Sequence, residues 1–160
     1  MLTFGRAILE LQPVKIMTAE KLTKSKERIS KYGEVYTPKW IVNRMLDMLE
    51  PNGCFDDISK TFLEPACGNG NFLAEIFERK LKLCKNPQAG LKALASIYGI
   101  DILPDNVEES RQRLFDMFIE KYPKCSLRDI MFAEMILRQN IICGNSLEIM
   151  KKWEEEKNVK

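Results

Sequence analysis

The run Thr61-Phe62-Leu63-Glu64-Pro65-Ala66-Cys67-Gly68-Asn69-Gly70 restricts what this chain can fold into more than any other stretch. A short strand over residues 61–64 ends at a carboxylate. Pro65 then removes a ladder donor, and glycines at 68 and 70 let the backbone reverse tightly and approach a ligand closely. Helical spacing resumes at once, with Phe72, Leu73, Ile76, Phe77 and Leu81 on one face. The same order recurs twice. Ile97-Tyr98-Gly99-Ile100-Asp101 is closed by Pro104 and followed by a helix from about Asn106 to Tyr122, with Val107, Leu114, Phe115 and Phe118 buried. Asn140-Ile141-Ile142-Cys143 ends at Gly144-Asn145 and leads into a short helix and a charged tail over residues 146–160.

The connecting segments read as follows. Ile41, Val42, Met45, Leu46, Met48 and Leu49 recur at helical spacing behind Thr37-Pro38, an N-cap followed by proline in the first helical position, and Pro51-Asn52-Gly53 stops that helix. The stretch containing Asn86-Pro87 and Gly90 reads as a loop. Ser126 with Asp129 forms a capping box for a helix to about Arg138. Strands alternating with helices predict an α/β domain with a short parallel sheet and flanking helices. In such sheets ligands sit at the carboxyl ends of the strands, here Glu64 to Gly70, Asp101, and Gly144-Asn145.

Composition narrows the chemistry. The 160 residues match one domain, and 45% hydrophobic residues are enough to bury a core. With 25 basic and 23 acidic side chains, the net charge of +2 does not mark a strongly basic nucleic-acid binder. The chain has no histidine, which excludes His-based general base catalysis and His-containing metal sites. The five cysteines include no CxxC pair, so no metal site is expected and a reducing, cytoplasmic setting is. No segment approaches the roughly 20 apolar residues of a membrane span, so no membrane partner is expected. Residues 1–31, ending in a charge-rich stretch over 21–31, are expected to form a solvated helical arm ahead of the domain at 32–160.

The acids at the strand ends say more than the glycines. GxGxxG would need a small residue at 73, where this chain has Leu73, and no P-loop motif is present. Asp101 follows Gly70 by 31 positions, beyond the spacing of a ribose-binding acid in a dinucleotide site, yet it can accept both ribose hydroxyls. Glu64, just before the glycine turn, suits an ammonium better than a pyrophosphate. Either acid alone could merely cap a turn. Together they match a ligand with a nucleoside and an amino group but no phosphate, and S-adenosylmethionine is such a ligand.

At these residues a family resemblance becomes specific. Gly33-Glu34-Val35-Tyr36-Thr37-Pro38, Leu63-Glu64-Pro65-Ala66-Cys67-Gly68-Asn69-Gly70-Asn71-Phe72-Leu73, Tyr98-Gly99-Ile100-Asp101-Ile102 and Ile141-Ile142-Cys143-Gly144-Asn145-Ser146-Leu147 occur in that order. The series resembles the N6-adenine DNA methyltransferases, the N-6 DNA methylases of type I and type IIG restriction–modification systems, over roughly residues 28–148. The resemblance implies a partial S-adenosylmethionine-dependent, Rossmann-like methyltransferase fold. It implies that Tyr36, Thr37 and Pro38 line the methionine end of the cofactor and that Glu64 receives its ammonium. Ala66, Gly68 and Gly70 would then allow close backbone approach, Phe72 would wall the pocket, and Asp101 would bind the ribose hydroxyls. Ile102 would pack on the adenine, Asn145 would meet its amino group, and Leu147 would add apolar contact. Many members carry Asp where this chain has Asn145, which keeps a carbonyl acceptor.

The family's catalytic [DNS]PP[YFW] tetrapeptide, which holds the flipped base, has no counterpart, because the sequence contains no Pro-Pro pair. The expectation is therefore an N-terminal, cofactor-binding half of a site-specific DNA adenine-N6 methyltransferase, cut short before its catalytic motif and inactive alone. It would reach DNA through the complete enzyme. The alternative is a non-catalytic binding module acting through a protein partner. In the family fold the first strand pairs with one this chain lacks. Residues 61–64 should therefore expose an unpaired edge beside apolar sheet surface, favouring association with a second copy or with a complementary C-terminal half.

Overall fold

The structure is a computed structural model that describes residues 20–158. The part of the expected arm at residues 1–19 lies outside the described residues. Among these, three parallel strands, β1 (Phe62–Glu64), β2 (Ile97–Asp101) and β3 (Ile141–Cys143), form one sheet in the order β1-β2-β3. Phe62 pairs with Ile97 and Glu64 with Gly99, while Gly99 pairs with Ile141 and Asp101 with Cys143. The register sets Glu64, Asp101 and Cys143 at the carboxyl edge. The α/β expectation holds.

The described residues form seven α-helices besides the sheet: α1 (Lys26–Tyr32), α2 (Lys39–Asp47), α3 (Asn71–Leu81), α4 (Pro87–Ala95), α5 (Pro104–Lys121), α6 (Leu127–Asn140) and α7 (Ser146–Asn158). Helices α3 and α5 pack on β2, and their apolar faces meet at the centre of the core: Leu73, Phe77, Leu114 and Phe118 are fully buried with Ile97 and Ile141. Gly99 allows this contact, since a Cβ there would lie 2.8 Å from Leu73 Cδ1. The Ser126–Asp129 capping box starts α6 as the sequence predicts. On the opposite sheet face Leu63, in register with Tyr98, is 41% exposed, and β1 is an edge strand with no second neighbour among the described residues.

Four local expectations need correction. Residues 87–95 form a helix rather than a loop: the Asn86 side chain caps Ala89 N–H, and Pro87 occupies the first turn. Gly90 is not a loop former there. It is buried against Tyr122, whose ring would be 2.5 Å from a Cβ. Second, α2 begins at Lys39, with Pro38 rather than Thr37 at the N-cap, and the Lys39 N–H is capped by the Glu20 carboxylate at 3.0 and 3.1 Å. Third, only Val42 and Leu46 of the α2 stripe are buried, and Met45 and Met48 are exposed. Fourth, the charged stretch is not simply solvated. Lys24 pairs with Asp105 and Glu109, and Arg28 with Asp105 and Glu34, fastening residues 20–37 as a strap across the start of α5.

At the amino end of the strands sits an unusual anchor. Lys80 of α3 is fully buried, and its ammonium donates to the carbonyls of Ile58 and Lys60 and to Ser96 Oγ, with the Phe62 ring 5.0 Å away. One side chain thereby joins the segment entering β1 to the residue preceding β2. No helix among the described residues is long and apolar enough to cross a membrane.

Candidate functional site

A cleft of about 420 Å³ opens at the carboxyl ends of the strands, between the strap, the glycine turn and the loops after β2 and β3. This volume falls in the range of small-molecule sites. It is lined by Tyr36, Thr37, Glu64, Ala66, Gly68, Phe72, Asp101, Ile102, Asn145 and Leu147, so four sequence-distant motifs converge. Two predicted residues stand outside its wall. Pro38 serves as the N-cap of α2. Gly70 is buried beneath the turn at φ +84°, where a Cβ would meet Ser110 Oγ at 2.9 Å and Cα at 3.2 Å, so its missing side chain makes room for α5.

The glycine turn is held from below. Gly68 adopts φ +52°, and a Cβ would press on the Tyr36 ring at 3.2 Å. Tyr36 is itself buried, so it forms the floor under the turn, and burial pushes its hydroxyl up to about 12. Ser110 Oγ donates to the Gly68 carbonyl at 2.9 Å, and Asn71 Nδ2 donates to the Thr37 carbonyl at 2.8 Å. Asn69 Oδ1 is buried without a hydrogen-bond partner among the described residues, an orphan acceptor inside the turn.

The acids differ in how much of their capacity is free. Glu64 accepts only the Ala66 N–H, at 3.2 Å, and no ion pair reaches it among the described residues. Burial pushes its carboxyl above the usual range. Asp101 is heavily engaged: Oδ2 accepts Gly68 N–H at 2.9 Å, and Oδ1 accepts Leu103 N–H at 2.9 Å and Asn106 Nδ2 at 3.2 Å. Its main-chain carbonyl also accepts Gly144 N–H at 2.9 Å.

At the far end, Asn145 Oδ1 accepts Leu147 N–H at 3.1 Å and so caps α7, while Nδ2 donates to Glu148 at 3.1 Å. Ile102 and Leu147 stand 55% and 77% exposed on the rim, and Phe72 is half-buried between cleft and core. Cys67 is buried and its thiol pushed up to about 12, which leaves it protonated and unreactive at neutral pH. Cys143, expected to be a small buried side chain, is exposed at the end of an edge strand.

The residues lining or bracing the site beyond those predicted include Glu34, Asn106 and Ser110. Glu34 lies within the Gly33–Pro38 motif and was within reach. Asn106 and Ser110 look like ordinary positions of an amphipathic helix. Among the described residues no lysine or arginine lines the cleft, whereas three carboxylates do. The donor set thus suits a cationic, hydroxyl-bearing ligand and repels phosphate. The residues present therefore fit S-adenosylmethionine: an acid with no cationic partner among the described residues faces the cleft, a second acid lies at the end of β2, and exposed apolar side chains stand beside it.

Comparison with known proteins agrees with this geometry. The N-6 DNA methylase family matches residues 20–120, which include the strap, the glycine turn and Asp101. A type II methyltransferase, M.VspI of Vibrio sp. (strain 343), is 34% identical over 110 residues, covering 69% of this chain and 23% of that protein. The chain spans about a quarter of the length of this curated relative. No solved structure matches the chain. With the family matched over more than half of its residues, and the matched motifs converging on one cleft, the chain belongs to the N-6 DNA methylase family.

Proposed function

We propose that this chain forms the S-adenosylmethionine-binding part of a site-specific DNA adenine-N6 methyltransferase of a restriction–modification system. The observation that carries the reading is Glu64: a half-buried carboxylate on a cleft that, among the described residues, contains no basic side chain and supplies it with no counter-ion. A carboxylate in that position is stabilised by a ligand cation. Glu64 would hold the ammonium, Asp101 the ribose diol, and Asn145 the adenine amino group. Ile102 and Leu147 would cover the base, and Phe72 would close the wall. Tyr36 and Thr37 act from the strap, and Pro38 fixes where the strap turns into α2. Gly68, Ala66 and Gly70 shape the turn.

When bound, the cofactor supplies an electrophilic methyl group on a sulfonium centre. The residues of this chain orient and partly desolvate it, and none of them need exchange a proton in the transfer. The side chains that would hold a flipped adenine are not among these 160 residues, which contain no Pro-Pro pair. In this reading the remainder of the methylase supplies them together with the DNA contacts. It would add to the free edge of β1 and cover Leu63, and a second copy is the competing occupant of that edge.

The test is isothermal titration of the purified chain with S-adenosylmethionine, beside Glu64→Gln. This variant keeps an oxygen for Ala66 N–H and removes the charge. Saturable binding is expected, weakened about tenfold or more in the variant, the worth of one charge-assisted hydrogen bond. Absence of binding by a chain that is folded by circular dichroism overturns the reading.

A further inference from the structure

The strap and the ribose-side acid meet at a single buried amide. Asn106, in the first turn of α5, is 1% exposed. Its Nδ2 donates to Glu34 Oε1 at 2.6 Å and to Asp101 Oδ1 at 3.2 Å. Its Oδ1 accepts from Lys24 Nζ at 2.9 Å and Arg28 Nη2 at 3.2 Å, and the Tyr36 hydroxyl lies 2.9 Å away. Glu34 is in turn gripped by Arg28 through two parallel bonds of 2.6 Å. Both hydrogens and both acceptor positions of the amide are therefore used, and the partners come from the strap on one side and from β2 on the other.

We propose that Asn106 is a positioning residue that orients the Asp101 carboxylate toward a ligand diol and couples ligand binding at that acid to docking of the strap. The inference rests on the reading of the cleft as a nucleoside-containing cofactor site and goes beyond it. The physical reason is geometric. Asp101 has about four acceptor positions, and three are filled from inside the protein. The Asn106 bond is the longest of the three and the only one from a side chain. The fourth position is open to a ligand hydroxyl, and the amide that fixes the carboxylate's orientation is itself fixed by Glu34 of the strap, so a ligand that takes Asp101 in this orientation favours the docked strap. Such coupling is reciprocal: fastening the strap must strengthen ligand binding by the same factor.

The experiment compares adenosine with 2′,3′-dideoxyadenosine on wild type and Asn106→Ala, by competition against bound S-adenosylmethionine. Amide hydrogen exchange of residues 22–37 is followed with and without S-adenosylmethionine. Wild type is expected to prefer the diol, and the preference should shrink several-fold in Asn106→Ala. Ligand should protect the strap in wild type and protect it less in the variant. A general loss of stability weakens both nucleosides alike and leaves their ratio unchanged, so the ratio isolates positioning from folding. An unchanged ratio in Asn106→Ala, or strap protection indifferent to ligand, overturns the proposal while leaving the cofactor site standing. A wild-type chain that binds neither nucleoside nor S-adenosylmethionine overturns both.

Discussion

Lys80 should make the stability of this protein depend on pH in a direction opposite to that of most of its other buried groups. Burial pulls its ammonium from an ordinary 10.5 down to about 8, against weaker opposing pulls from Asp57 and Cys84. Below pH 8 both folded and unfolded chains carry the charge, and the folded state bears the whole desolvation penalty. Between pH 8 and 10.5 the folded chain releases this proton first, so the unfolded state binds more protons and stability must rise with pH. A separation of about 2.5 units at 1.36 kcal/mol each gives about 3 kcal/mol, complete only above pH 10.5. Cys67, Tyr36 and Tyr122, each pushed up to about 12, act in the opposite direction as the pH climbs. They are common to both chains when wild type is compared with Lys80→Met, so the difference between the two isolates Lys80. Urea unfolding at steps from pH 7 to 10.5 should show wild type gaining on the variant by roughly 2–3 kcal/mol. A constant difference would refute the reasoning: the bonds to Ile58, Lys60 and Ser96 would then match the burial penalty, and Lys80 would titrate as in water.

Ligand affinity should fall with acid earlier than an ordinary glutamate predicts. The Glu64 carboxyl is raised by burial, and the proposed ammonium contact needs its ionised form, so S-adenosylmethionine titrations between pH 7 and 4.5 should weaken progressively in wild type and much less in Glu64→Gln. Gly68→Ala places a side chain at φ +52° and 3.2 Å from the Tyr36 ring, and should destabilise the chain by about 1–3 kcal/mol in urea. Wild-type stability in that variant would mean the turn adopts another conformation in solution. Ser126→Ala removes the hydroxyl half of the α6 capping box and should lower stability by about 1 kcal/mol, leaving cofactor affinity untouched because α6 lines no part of the cleft.

The sheet was legible because local chemistry punctuates it. Pro65 and Gly68 after β1, Pro104 after β2 and Gly144 after β3 end each strand where the backbone must turn, and the expected strands begin within one residue of the observed ones. Helix α4 was not legible, because Gly90 answers to an aromatic ring 32 positions away rather than to a turn. The start of α2 was misplaced for a similar reason: its cap is Glu20, outside any local pattern. The exposure of Met45 and Met48 shows that spacing reveals an apolar stripe but not whether the described residues cover it. At the site, acids and glycines that close strands could be read residue by residue. Asn106 could not, since its role exists only once the strap and the end of β2 are brought together.

Asp101 is the natural first target for mutagenesis in such a cleft, and its geometry makes it a poor probe. Its side chain and carbonyl join all three strand-end loops: Gly68 from the first, Leu103 from its own, Gly144 from the third. Asp101→Ala leaves the Gly68 and Leu103 N–H groups without acceptors, at about 1–3 kcal/mol for each one buried. Asp101→Asn does no better: whichever way the amide is turned, its NH2 faces either the Gly68 N–H or the donors of Leu103 and Asn106. Either variant mixes a lost ligand contact with a reshaped cleft, so failure to bind would not locate the cause. Glu64 has a single internal bond, and Gln preserves its acceptor. The proposed ammonium contact can therefore be tested without disturbing the frame of the cleft, and the proposed ribose contact is better tested by changing the nucleoside than by changing the acid.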